Sequence, residues 1–304
     1  MIENIQKLLS VYQNKGLVGA IEKIFDYVTN WRVRCEGIVW SLRRIHIGQP
    51  NPATKVHGLK YYVHPHDPGI SRELTVYHIH EPNATGLFRN HVKEGMHVVD
   101  IGSNLGYYAL LAATLVGPKG RILAIEPEPQ NYELLTMNIT VNSIRNVDAV
   151  QCAVGSKNGT GELYITKASN TNSLILPING SAISSLQVKI KTLDALLEER
   201  NFPKVNFIRM DIEGGEIAAI EGMQNTLKQY KPAVLIELHR DRVGTDPIVK
   251  LLKSLKAFGY DAKYIIDRDQ DFAWIKNRHI LSLTSMNELL KSIINYRVVI
   301  ALLR

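Results

Sequence analysis

The sequence predicts a doubly wound α/β fold, a Rossmann-like and mostly parallel sheet, preceded by a mostly helical N-terminal extension. Three observations carry that expectation. Short apolar runs recur with helical segments of about ten residues between them, the pattern of a parallel sheet with crossover helices. A glycine-bearing loop, Asp100-Ile-Gly102-Ser-Asn-Leu-Gly106, joins the first of these runs to a helix. Carboxylates stand at the ends of several runs, where ligands bind in folds of this kind.

The elements follow in order. Residues 1 to 45 have apolar side chains at helical spacing, Ile5, Leu8, Leu9 and Tyr12, then Leu17, Ile21, Ile24, Phe25 and Val28. Gly48-Gln-Pro50-Asn-Pro52 breaks that pattern. Leu59–Val63 reads as a short strand and His64–Gly69 as a turn-rich loop able to line an acceptor site. Pro82 opens a helix that runs to Val92. The core then alternates: strand Met96–Ile101, helix Tyr107–Val116, strand Arg121–Ile125, helix Pro129–Val141, strand Val147–Ala153. Gly161–Ile165 and Leu186–Ile190 alternate like hairpin strands. Helix Leu193–Arg200, strand Val205–Met210, helix Ile217–Gln229, strand Ala233–Glu237 and helix Pro247–Phe258 follow, then strands near 260–266 and 296–303. The division expected is 1–90 for the extension and 91–304 for the sheet domain.

Composition excludes several classes. With 45% apolar and 21% charged residues in 304, the chain is not disordered, collagen-like or a coiled coil. Two cysteines, Cys35 and Cys152, allow at most one disulfide. Of the net charge of +7, the first 60 residues carry most, with nine Lys and Arg against four acids. A solvated helical face accounts for that; an anionic partner is the alternative. No secretory signal fits the first residues, and the uncharged run 101–118 holds three glycines and reads as a loop plus a buried helix. A cytoplasmic protein is expected, and the four Asn-x-Ser/Thr sites are chance matches.

The glycine loop is neither a dinucleotide fingerprint nor a P-loop, because Asn104 and Tyr107 occupy the positions where further glycines would stand and no Gly-Lys-Ser/Thr follows. An acid just before the loop repels a pyrophosphate and suits a cation or an amine. Glu126, ending the second strand, is placed to accept two hydrogen bonds from a ribose diol. An amine-bearing tail and a ribose together describe S-adenosylmethionine.

On these residues the chain resembles the FkbM-type S-adenosylmethionine-dependent methyltransferases. The matching stretches are Val98–Tyr108, Ile125–Tyr132, Asn138 with Asn142 and Asn146-Val147, Thr192-Leu-Asp194, Phe207–Glu216 and Glu237-Leu-His239, over roughly residues 80 to 265. The family usually has Ala where Ser103 stands and often Lys where Arg209 stands. The resemblance implies a class I methyltransferase sheet of order 3-2-1-4-5-7-6. It also implies an acceptor hydroxyl on a sugar, polyketide or lipid. The cofactor set expected is Asp100, Gly102, Ser103, Asn104, Gly106, Tyr107, Glu126, Pro127, Ala153 and Asp211.

Asp211 and Glu213 share one face of a strand end, and Glu237 and His239 repeat that spacing on the neighbouring strand. Asp211, Glu213 and His239 are the expected catalytic residues, with Asp211 or His239 taking the acceptor's proton. No metal is assigned; Mg²⁺ on Asp211, Glu213 and a third ligand is the alternative. The expected activity is O-methylation of a sugar, glycolipid or other small molecule, without nucleic acid or a transmembrane segment. An RNA methyltransferase using the basic N-terminal region, or a binder without catalysis, stand as alternatives.

Overall fold

The computed structural model describes residues 54–177, 180–268, 271 and 280–304. The chain divides into two compact units, Met1–Gly48 and Gln49–Arg304, and all the described residues belong to the second. The helix expected over residues 1 to 45 and the break after it lie outside the described residues.

A tight hairpin opens the described part. Strands β1 (Thr54–Val56) and β2 (Leu59–Tyr61) pair antiparallel around His57-Gly58, whose φ values are +50° and +85°. Helix α1 (Ile70–Tyr77) was not expected; the Asp67 carboxylate starts it by accepting from the N–H groups of Gly69 and Ser71, each at 3.0 Å. Helix α2 (Pro82–His91) follows as expected. The core then runs β3 (His97–Ile101), α3 (Tyr107–Val116), β4 (Arg121–Ile125), α4 (Pro129–Val141) and β5 (Val147–Val150).

Here the structure corrects the sequence reading. The strand expected to continue to Ala153 stops at Val150, and β6 (Ala153–Val154) pairs elsewhere, parallel to β8 (Ser184–Lys191). On the other side of β8 lies β7 (Gly159–Ile165), antiparallel to it in the hairpin the alternation predicts. Together β6, β8 and β7 make a small separate sheet. After α5 (Leu193–Glu199) and β9 (Phe207–Met210), the single helix expected over Ile217–Gln229 is two, α6 (Glu216–Glu221) and α7 (Gln224–Tyr230). The break has a cause: the Asp194 carboxylate accepts from the N–H groups of Asn225 (3.0 Å) and Thr226 (2.9 Å) and starts a new helix there. The chain closes with β10 (Ala233–His239), α8 (Arg240–Val243), α9 (Thr245–Ala257), β11 (Ala262–Asp267), β12 (Ile280–Ser282), α10 (Met286–Ser292) and β13 (Val298–Leu303).

The large sheet has the order β12-β11-β13-β10-β9-β3-β4-β5. Numbered as core strands one to seven, this is 3-2-1-4-5-7-6, with β12 added at the outer edge. Strands β3, β4, β5, β9 and β10 are parallel, and β13 runs antiparallel between β10 and β11. Its core strands are buried on both faces, which is why they read as near-continuous apolar runs. Val99, Ile101, Leu123, Ile125, Ile208, Met210, Ile236 and Val299 form one cluster across it. Among the described residues, no helix is long and apolar enough to cross a membrane.

Register positions the site. Asp100 on β3 stands opposite Arg209 on β9, and Met210 opposite Ile236 on β10. The residues that follow, Asp211 and Glu237, therefore come level at the carboxyl ends of adjacent strands.

Candidate active site

The loop after β3 is held by its own backbone. Gly102 has φ +80°, and a Cβ there would lie 2.0 Å from the carbonyl oxygen of Asp211. Only glycine lets the loop pass this close to the end of β9. The N–H groups of Gly102 and Ser103 both donate to the Ile125 carbonyl at 3.0 Å. Ser103 adds a tie that alanine lacks: its Oγ donates to the Asp100 carbonyl (2.9 Å) and accepts from the Ile125 N–H (3.1 Å). The Asn104 N–H then donates to Glu126 Oε2 at 2.8 Å.

Glu126 is 5% exposed at the tip of β4. Its Oε1 accepts from the Glu128 N–H at 3.0 Å and from Asn131 Nδ2 at 3.5 Å. Burial nevertheless pushes its carboxyl up to about 7, against the hydrogen bonds from Glu128, Asn104 and Asn131.

These residues line a cleft. Gly102, Ser103, Asn104, Tyr107, Glu126, Pro127, Ala153, Asp211 and Glu213, all singled out from the sequence, form its wall. Ile70 and His80 line it from the N-terminal side, and Ser169, Asn170 and Asn172–Leu174 from the β7–β8 connection. That connection is fastened on three sides. Ser169 N–H donates to Asp67 (3.0 Å), its carbonyl accepts from Asn131 Nδ2 (3.2 Å), and Ser173 Oγ donates to the Glu213 carbonyl (2.7 Å). Asp100 and Gly106 are not among the lining residues. Asp100 is fully buried behind the loop, its Oδ1 3.7 Å from Arg209 Nη1. At Gly106, with φ +96°, a Cβ would press on Leu135 and Leu110 at 2.7 and 2.8 Å.

At the other end of the cleft, charged groups converge. Arg209, 6% exposed, donates through Nη1 to the Gly102 carbonyl (3.0 Å) and through Nη2 to Asp211 Oδ2 (2.9 Å), with its guanidinium 4.5 Å over the Tyr108 ring. His239 does not line the cleft but stands directly behind it, 3% exposed. Its Nδ1 pairs with Glu216 Oε1 at 3.0 Å. Its Nε2 faces Glu213 (3.5 Å), Glu237 (3.6 Å) and Asp211 (3.7 Å). Burial opposes a charge on this ring, but Glu213 and Glu216 outweigh burial and hold its pKa well above the ordinary histidine value. Arg242 bonds Glu213 Oε2 at 2.7 Å, and Arg268 bridges Glu81 (3.0 Å) and Glu237 (3.3 Å).

The structure thus brings Asp211, Glu213, Glu237 and His239 together, as the strand spacing predicts. It also brings in groups the spacing did not single out. His80 and Glu81 read from sequence only as the approach to a proline-started helix, yet His80 pairs with Glu73 (2.6 Å) and Glu81 (3.2 Å) beside the cleft. Arg268 lies two residues past the strand expected near 260–266 and is not singled out by the sequence. Nothing in local sequence marks a contact 187 residues distant, between Glu81 and Arg268.

Comparison with known proteins identifies the family. The domain described as Methyltransferase FkbM domain matches residues 100–262, the span from the glycine-loop aspartate to the start of β11. The chain belongs to this family. It is therefore a methyltransferase of the S-adenosylmethionine-dependent kind. It is 29% identical over 196 residues to the hexuronic acid methyltransferase AglP of Haloferax volcanii, covering 63% of this chain and 75% of that one. It is 27% identical over 179 residues to Methyltransferase 1 of Beauveria bassiana, covering 53% and 71%. Among solved structures, the methyltransferase FkbM of Methylobacillus flagellatus aligns at 17% identity and a TM-score of 0.43, over 68% of this chain but 43% of that longer one. Fibrillarin of Aeropyrum pernix, solved with natively bound S-adenosyl-L-methionine, aligns at 14% identity and a TM-score of 0.42, over 73% and 74%.

Proposed function

We propose that this chain transfers a methyl group from S-adenosylmethionine to a hydroxyl of a sugar or other glycan acceptor. The observation that carries the reading is one cleft walled by Glu126 at one end and by Asp211 and Glu213 at the other, with the glycine loop between. The residues fit the donor: Glu126 offers a buried carboxylate to a ribose diol, and Gly102 keeps the wall free of side chain where the loop meets β9.

In this reading Gly102, Ser103, Asn104, Tyr107, Glu126, Pro127, Ala153 and Asp211 hold the donor. Asp100 and Gly106 act through the loop, the first by anchoring Arg209 and the second by allowing its turn. Bound there, the donor supplies a sulfonium-activated methyl carbon. The chain's own work is alignment and proton removal. Arg209 fixes the Asp211 carboxylate, and Arg242 fixes Glu213. The acceptor's hydroxyl proton passes to one of these two cleft-wall carboxylates. His239, held by Glu216 behind them, positions the edge rather than touching the acceptor. Similarity to a hexuronic acid methyltransferase supports a sugar acceptor.

Donor consumption against a panel of uronic acids, neutral sugars, glycolipids, small alcohols and total RNA tests this. Turnover with at least one sugar is expected. Turnover with RNA alone would overturn the acceptor class.

A further inference from the structure

We propose that Asp211, Glu237 and His239 form a binding site for a divalent transition-metal ion at the acceptor end of the cleft. The sequence points to no metal, with Mg²⁺ on Asp211, Glu213 and a third ligand as the alternative; the geometry keeps Asp211 and puts Glu237 and His239 with it. One atom of each of Asp211, Glu237 and His239 lies within 4.8 Å of the other two. His239 Nε2 is 3.7 Å from Asp211 Oδ1 and 3.6 Å from Glu237 Oε1. Donors at 2.0–2.2 Å around a tetrahedral ion stand about 3.4 Å apart, so His239 Nε2 is within a few tenths of an ångström of that spacing to each carboxylate. Glu213, by contrast, is committed to Arg242 at 2.7 Å.

Asp211 and His239 are each fixed by another atom, leaving one for an ion, while Glu237 Oε1 would share the ion with Arg268, whose Nε stands 3.3 Å from it. Asp211 Oδ2 is held by Arg209, while the buried Oδ1 takes no hydrogen bond. His239, 3% exposed, has Nδ1 on Glu216, which directs Nε2 into the cluster. That Nε2 meets its carboxylate neighbours only at 3.5–3.7 Å, beyond an ordinary N–H···O bond. A carboxylate behind a ligating imidazole is the usual way a protein orients such a ligand. Charge points the same way. Arg268, the arginine beside Glu237, also serves Glu81, so Glu237 is only partly compensated. One imidazole and two carboxylates suit Mn²⁺ or Zn²⁺. Three protein ligands leave a position open, and Asp211 lines the cleft. The ion would hold the acceptor's hydroxyl oxygen there and ease loss of its proton to Glu213. This role rests on the methyl-transfer reading; the binding of the ion does not.

The test uses the full-length chain stripped with a chelator and titrated with Mn²⁺, free ion being followed by electron paramagnetic resonance and heat by calorimetry. S-adenosylhomocysteine affinity is measured on the same samples. One Mn²⁺ per chain is expected, weakened by more than the about ten- to hundredfold that an outer partner costs in Glu237→Gln and His239→Gln, and by about that much in Glu216→Gln. S-adenosylhomocysteine affinity should stay within about threefold in each variant, which also certifies folding. No stoichiometric binding, or binding unchanged in Glu237→Gln (an adventitious ion only), overturns the site. Nucleoside binding without Mn²⁺ sinks the metal site alone; Mn²⁺ binding without nucleoside upholds the site and sinks the donor reading.

Discussion

Replacing Glu126 by glutamine separates donor recognition from stability. The native carboxylate is 5% exposed and accepts from the backbone N–H groups of Asn104 and Glu128. Glutamine keeps the shape but brings a donor NH₂ against one of those N–H groups and removes the charge. Loss of a charge-assisted hydrogen bond to a ribose hydroxyl costs about 1.5–3 kcal/mol, or roughly ten- to a hundredfold in affinity. The pH dependence gives a second reading. Burial raises this carboxyl from its ordinary value near 4.5 to about 7. An acid raised in the folded state contributes stability that is present below the unfolded value and is lost as pH rises to the folded one. Between pH 4.5 and 7 the native fold should therefore lose roughly 3 kcal/mol to this group. Donor affinity should move oppositely, rising toward pH 7 as the carboxylate ionises. Calorimetry with S-adenosylhomocysteine and chemical denaturation, both from pH 5 to 8.5, check the two slopes. The variant should bind more weakly and lose both. Unchanged affinity, or slopes that persist in Glu126→Gln, would refute the assignment of Glu126 to the donor.

Three further outcomes follow from the same geometry. Asp211→Asn should lower turnover by about a hundred- to ten-thousandfold with the fold intact, since it removes a cleft-wall carboxylate; steady-state rates and circular dichroism decide it. Arg209→Met should cost about 3–5 kcal/mol of stability in denaturant titrations, because it leaves Asp100, 0% exposed, with its nearest cation gone, and an unshifted midpoint would contradict the pairing. Deleting residues 1–48 should leave donor affinity within about threefold in calorimetry, because every described cleft residue lies in the unit Gln49–Arg304.

What was legible in the sequence has a physical pattern. Strands β3, β4, β9 and β10 announce themselves because burial on both faces demands unbroken apolar runs, and glycine at 102 announces a close approach that no side chain permits. The cleft residues Asn104, Glu126 and Asp211 sit within or beside those runs, so topology alone carries them to one edge of the sheet. Helix α1 was missed because its start depends on Asp67, a cap within a stretch rich in turn formers. The break between α6 and α7 was missed because its cap, Asp194, comes from a different helix. The same holds at the site. Spacing along one strand places Glu237 with His239, but pairing of Arg268 with Glu81 and Glu237 is a matter of tertiary packing. So is the fastening of Ser169 to Asp67 and Asn131, which builds the cleft's outer wall.

The most direct test of the account is where the methyl group goes. Incubating the protein with ¹³C-methyl-labelled S-adenosylmethionine and the sugar acceptor it consumes, and reading the product by heteronuclear NMR, reports that position. The account predicts label on a hydroxyl oxygen of the sugar, with the signal reduced in Asp211→Asn in proportion to turnover. Label on a nitrogen or a carboxyl, or an undiminished signal in that variant, would contradict it.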